Sequence, residues 1–278
     1  MTIMVRPIGD HLREWRQRRR MSQLELACEA EISTRHLSFV ETGRSLPSRE
    51  MILHLAEQLE IPRRERNVLL VAAGYAPVFP ERPLNDPVLG AARQAINLVL
   101  AGQKPYPAFA IDRHWTIAAS NSALPELYVG VSPALLRPPV NALRLTLHPD
   151  GLAPRIANLP EWRAHMLARL RQQIDLTADP LLVELMREMT DYSLPRGNRL
   201  REPAADANTV AIPFKIVTEA GLLSFFSTTA VFGTPVDVTL SELALEMFFP
   251  ADAATAAIVR QLDQRADAER PWIIAAAE

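Results

Sequence analysis

The side chains that most often do chemistry are sparse in this chain. Its six histidines are His11, His36, His54, His114, His148 and His165, and no two share a helix face at metal-ligand spacing. The single cysteine, Cys28, rules out an intrachain disulfide and a multi-cysteine zinc site. There is no GxSxG, no HExxH and no phosphate-cradling glycine loop, and ten glycines leave little material for one. No catalytic and no metal-binding residue is therefore assigned. What does gather is arginine. Arg16, Arg18, Arg19 and Arg20 crowd one predicted helix end, and residues 1–76 hold 12 arginines against 10 acids. The whole chain carries a net charge of −2, so any role on nucleic acid has to rest on that local excess. Only Lys104 and Lys215 among the 30 basic residues are lysines, and guanidinium groups suit planar, bidentate contacts. Alone, such a run reads as a solvated face.

The elements that would position these arginines are short helices. Ile8, Leu12 and Trp15 recur at helical spacing. Ser22 with Glu25 three residues later forms a capping-box pattern. Ser33 caps a third segment with Leu37 and Val40 inward, ended by Gly43. Pro47-Ser48 opens a fourth, and Pro62 stands in the first turn of a fifth that stops at Gly74. Pro77, Pro80, Pro83 and Pro87 then mark a linker, followed by a helix with Val88, Ala92, Ala95, Ile96 and Val99 on one face.

From Tyr106 the pattern turns to strands, Pro107–Ile111 and Trp115–Ala119, around Asp112-Arg113-His114. Trp162, Met166, Leu170 and Ile174 recur every four residues, and Leu182, Leu185, Met186 and Met189 form a second stripe after Asp179-Pro180. A polar loop spans about 191–208. Val210–Thr218 and Leu222–Phe232 read as a hairpin through Glu219-Ala220-Gly221, and Ser241–Phe249 as a closing helix. At 278 residues, 48% hydrophobic and 22% charged, the chain suits two globular domains. The division expected is 1–76, a linker and connecting helix 77–104, a second domain 105–262, and a tail 263–278. No apolar run reaches the 18–20 residues of a membrane span, and no signal-peptide pattern opens the chain, so a cytoplasmic location and no membrane partner are expected.

The stretch Met21-Ser22-Gln23-Leu24-Glu25-Leu26-Ala27, Ile32-Ser33, Leu37-Ser38-Phe39-Val40-Glu41-Thr42-Gly43-Arg44 and Pro47-Ser48 closely resembles the phage-repressor type (XRE) helix-turn-helix family, over about residues 8–75. The resemblance implies an all-α domain that binds double-stranded DNA and lays its second motif helix in the major groove. It places Gln23 on phosphate, Ser33, Thr34, Arg35, Ser38 and Phe39 at the reading surface, and Arg44 on the backbone past the helix end. Arg35 could read guanine through two hydrogen bonds. Phe39 departs from the usual polar residue; contact with a thymine methyl and simple packing stay open. Arg16 and Glu41 match positions that form a structural ion pair in the family. A single small domain reads few base pairs, so a homodimer is expected.

Further on, Phe109-Ala110-Ile111-Asp112 to Ser120-Asn121, Asn141-Ala142-Leu143-Arg144-Leu145 into Leu147-His148-Pro149, and Leu223-Ser224-Phe225-Phe226-Ser227-Thr228-Thr229 with Phe232-Gly233-Thr234-Pro235 and Phe248-Phe249-Pro250-Ala251-Asp252 look like the ligand-binding domain of MmyB-like transcription regulators. That resemblance runs through roughly 90–260. It implies an α+β, PAS-like fold with a small antiparallel sheet, helices over one face, an interior pocket and an apolar, fatty-acid-like effector, with no other cofactor. The sequence supplies only four of the strands such a fold needs. The expected pocket wall is Trp115, Ile117, Trp162, Met166, Phe214, Phe225 and Phe226, with Arg144 for a carboxylate head. The same side chains at strand and helix spacing also make an ordinary core. The leading expectation is a ligand-responsive DNA-binding regulator and not an enzyme. Its alternatives are a DNA-tethered enzyme or redox sensor, with His114 or His148 holding haem, and a constitutive DNA-binding dimer.

Overall fold

The computed structural model describes residues 6–193 and 211–266. They divide into two compact units. The first runs to Arg82 and includes Gln173–Ala178 and Val236–Val238; the second holds Pro83–Gln172, Asp179–Pro235 and Thr239 onward.

The first unit is five helices, α1 Ile8–Arg18, α2 Gln23–Glu29, α3 Thr34–Glu41, α4 Arg49–Gln58 and α5 Arg63–Ala72. Three starts are capped as their sequences predict. Ser22 Oγ accepts the Glu25 amide while the Glu25 carboxylate accepts the Ser22 amide, and Ser33 and Ser48 accept from His36 and Met51. Pro62 stands one residue outside α5, at its cap. The core is Ile8, Leu12, Leu26, Leu37, Ile52, Leu55 and their neighbours, nearly all fully buried. At Gly9 a Cβ would lie 2.5 Å from the Val40 carbonyl oxygen, so α1 and α3 meet backbone to backbone. The proline-rich segment is pinned rather than loose. Asn67 Nδ2 donates to the Phe79 carbonyl, and Asn67 Oδ1 accepts the Val78 and Phe79 amides.

The second unit is built on a five-stranded antiparallel sheet of order β2-β1-β5-β4-β3. Its strands are β1 Ala108–Ile111, β2 Ile117–Ser120, β3 Phe214–Thr218, β4 Gly221–Val231 and β5 Ala244–Pro250. The helices are α6 Gly90–Gly102, α7 Ala142–Leu147, α8 Leu159–Thr177, α9 Pro180–Asp191, α10 Val238–Ser241 and α11 Ala253–Ala266. The first few residues given to the tail, 263–266, thus continue α11; part of the 191–208 loop and Val210 lie outside the described residues.

β5 is the strand the sequence reading lacked. Ser241–Phe249 is not a helix: Ala244–Pro250 forms the central strand, paired to β1 and β4. Leu245 is buried on one face and Glu246 and Phe248 on the other, so the run shows no clean alternation, and Glu-Leu-Ala-Leu-Glu-Met consists of good helix formers that tertiary pairing overrides. Cross-strand register puts Phe109, Glu246 and Thr229 in one row and Phe248 and Ser227 in the next. That face meets α8, where the Trp162 and Phe214 rings lie 5.0 Å apart. The opposite face packs Ala108, Ala110 and Leu245 under Ile96 and Leu100 of α6. Helices thus lie on both faces, not one. The inward face of α6 is Ile96 and Leu100, with Leu89 buried just before it, while Val88 and Val99 are exposed.

Two buried asparagines hold the sheet's neighbourhood. Asn121 Oδ1 accepts the Ala108 amide, and its Nδ2 donates to the Leu100 and Tyr106 carbonyls. Asn141 caps α7 by accepting the Leu143 and Arg144 amides and donates to the His114 carbonyl. Both lie in the blocks that carried the second resemblance, which marks those blocks as architectural.

Candidate DNA-reading face and ligand-binding layer

In the first unit α2 and α3 are set by a buried ion pair. Arg16 Nε and Nη2 donate to the two Glu41 carboxylate oxygens at 2.7 and 2.8 Å, and Arg16 Nη1 donates to the Met21 carbonyl. The Glu41 carboxylate holds the guanidinium pKa above its ordinary value. Gln23 Nε2 also donates to Glu41, at 2.8 Å. Its amide nitrogen therefore faces this network, which leaves the side-chain oxygen and the helix start for any phosphate contact.

The outer side of α3 is laid out as helical spacing requires. Leu37, Val40 and Glu41 are buried; Ser33 and Arg35 are exposed, and Thr34, Ser38 and Phe39 are half-exposed. Phe39 organises this surface. The Arg35 guanidinium lies 5.3 Å from its ring centroid and the Arg44 guanidinium 5.9 Å. The Phe39 carbonyl also accepts the Arg44 and Ser45 amides. One aromatic ring thus carries two cations toward solvent, each contact contributing about 0.5–1 kcal/mol at an exposed site. An interleaved arginine-aromatic-arginine surface on a motif helix suits a polyanion with readable base edges.

In the second unit the structure sorts the expected pocket residues. Trp115, Trp162, Met166, Phe214 and Phe225 are all buried. The rings form a chain on the α8 face of the sheet: Phe225 to Phe248 at 6.1 Å, Phe248 to Phe214 at 5.8 Å, Phe214 to Trp162 at 5.0 Å. Phe226 is not part of it. Neighbouring residues of a strand point to opposite faces, and Phe226 lies 40% exposed on the other side of β4. Ile117 is half-buried on the edge strand β2. Arg144 is no free head-group cation. It lies exposed and pairs with Glu188 through Nε and Nη2, and that hydrogen bonding holds the Glu188 carboxyl below its usual range.

The open space lies further along the same face. A small cleft, partly open to solvent, is lined by Pro105, Leu127, Leu223, Phe225, Val259 and Leu262 among others. Phe225 is the one residue it shares with the expected wall. The strand period that puts Leu223 beside Phe225, and the spacing of Thr255, Val259 and Leu262 on α11, were the signals available for it. The sequence reading also missed Arg169, which ion-pairs with buried Glu246, donates to Thr229 and lies 5.0 Å from the Trp115 ring. Glu246 is thus a strand residue with its own cation.

His114 Nε2 bonds Asp179 Oδ2 at 2.9 Å, and His148 Nδ1 accepts the Asp150 amide at 3.0 Å. Among the described residues no three His, Cys, Asp or Glu side chains gather as metal ligands, and no helix is long and apolar enough to cross a membrane.

Comparison with known families fits this geometry. The family described as MmyB-like transcription regulator ligand binding domain matches residues 92–262. The chain belongs to the MmyB-like transcription regulators. A helix-turn-helix domain family matches residues 7–69 of the same regulator, and no curated protein matches it. A DNA-binding domain joined to a ligand-binding domain makes the chain a ligand-responsive transcription regulator.

On the reading face, Arg35→Ala is expected to weaken binding by about 1–3 kcal/mol on a preferred duplex and to relax preference at one base pair. Arg44→Ala should weaken all duplexes alike. Phe39→Ala should lower both effects together, since it releases both cations. Duplexes selected from a random pool by the wild-type protein, then titrated against each variant, provide the measurement. Equal, sequence-independent losses for Arg35→Ala and Arg44→Ala would make Arg35 a phosphate contact.

Proposed function

We propose that this regulator is a homodimer whose α3 helices read two half-sites of one operator, and whose second unit binds a small apolar, fatty-acid-like effector that changes operator affinity. No catalytic step is part of this reading, and its setting is the cytoplasm. The observation that carries it is the joining, in one chain, of a helix-turn-helix face bearing Arg35, Phe39 and Arg44 to a domain of the ligand-binding family. The apolar nature of the effector is supported by the aromatic layer and by the cleft that reaches it at Phe225. Met166, one turn beyond Trp162 on α8, is unbranched and adapts to irregular ligands.

A chain-length series of fatty acids, titrated with and without the selected operator, tests this. Each buried methylene contributes up to about 0.8 kcal/mol, so affinity is expected to climb with length and then level off. The ligand must also bind the DNA-competent and incompetent states unequally to act as a switch. Flat affinity removes the apolar site. Length-dependent binding without a change in operator affinity leaves a site and no switch. Sedimentation of a monomer both free and on DNA removes the dimer.

A further inference from the structure

Trp162 holds a buried donor that no described residue pairs. The residue is 3% exposed, and among the described residues its indole Nε1 is the buried side-chain polar atom without a hydrogen-bond partner. Buried donors are nearly always paired, so an orphan needs a reason. The position is specific. Trp162 ends the ring chain that begins at Phe225 in the wall of the cleft. Met166 follows one turn later on the same face of α8.

We infer that the Trp162 N–H recognises the polar atom of the effector, and that this atom is the neutral oxygen of a carbonyl on an otherwise apolar chain. This rests on the apolar-effector reading above and narrows it. The charge balance around the indole argues for a neutral acceptor. Arg169, the cation of this face, is committed to Glu246 and stacked on Trp115. His165, whose ring centroid lies 5.5 Å from that of the indole, is held below its ordinary pKa by burial and then by Arg169, so it is uncharged at neutral pH. With Arg169 committed and His165 uncharged, an ionised carboxylate would find a counter-ion in neither, and burying it so is far costlier than burying an ester or ketone oxygen that accepts one N–H. Trp162 does not line the cleft itself, so the ligand has to part the buried ring chain from the Phe225 end to reach the indole.

The test uses the full chain with methyl dodecanoate, dodecanoate and dodecane as matched probes, at neutral pH. The expected result has three parts. Methyl dodecanoate binds at least tenfold more tightly than dodecanoate. Trp162→Phe, which keeps an aromatic ring and removes the N–H, lowers methyl dodecanoate binding about tenfold relative to dodecane. The Trp162 indole resonance, assigned by its loss in that variant, moves downfield when the ester binds. An ester that binds without moving this resonance, or with an unchanged ester-to-alkane ratio in Trp162→Phe, overturns the assignment and leaves the apolar site standing. An indole already bonded to a long-lived internal water that no probe displaces overturns it as well. Dodecanoate binding more tightly than the ester overturns the neutral-acceptor half. Failure of every probe to bind overturns the apolar-effector reading, and this inference with it.

Discussion

Glu41→Ala is expected to destabilise the first unit by about 3–5 kcal/mol. The loss is that of a buried charge left alone, since Arg16 keeps its guanidinium in a site only 8% exposed. Gln23 loses its acceptor in the same step. At this size of domain each kcal/mol shifts the midpoint by about 4–8 °C, so calorimetry of the full chain should show the first unit's transition displaced downward by well over about 10 °C. The paired replacement Arg16→Met with Glu41→Leu is the informative control. It removes both charges and fills the space, so most of the stability should return. An unchanged melt for Glu41→Ala would mean that the pair is solvated in solution and holds nothing.

Asn121→Ala should be nearly as severe in the second unit, at about 3–5 kcal/mol. One side chain satisfies three backbone groups, the Ala108 amide and the Leu100 and Tyr106 carbonyls. Leaving buried backbone groups unpaired costs about 1–3 kcal/mol each. Asn121→Asp tests which half matters. It retains an acceptor for Ala108, loses both donations and adds a buried charge, so it should be at least as destabilising. Denaturant unfolding of the two variants checks both expectations, and a loss under 1 kcal/mol for Asn121→Ala would show that water replaces the amide.

The helical unit was largely legible because its signals are local. Ser22, Glu25, Ser33 and Ser48 cap within three residues of themselves, and Leu12, Leu37 and Ile52 follow the helical period. The sheet was less legible because its decisive partners are distant. Nothing near Glu246 in sequence announces Arg169, and without that cation a strand placing glutamate on a buried face is hard to credit. Phe225 and Phe226 were grouped by type when strand parity separates them. The block that resembles the ligand-binding family singles out Arg144 as a head-group cation, and the partner that occupies it, Glu188, lies 44 residues away. The ligand layer was found in part, since aromatic residues at regular spacing are visible in any sequence. The cleft was not, because it lies where α11 crosses β4, a meeting that only the closed fold creates.

The sheet order has a consequence for the order in which the molecule can be made. β5 lies between β1 and β4, so the middle strand is the last of the five to be synthesised. The helical core from Ile8 to Leu70 is complete long before the residues at 244–250 leave the ribosome. β1, meanwhile, waits for a partner more than a hundred residues downstream, and such long-range pairing is slow. A chain stopped short of Pro250 therefore carries a finished DNA-reading unit and an unclosed sheet. In a cell, truncated products of this kind would compete for the operator while deaf to the effector.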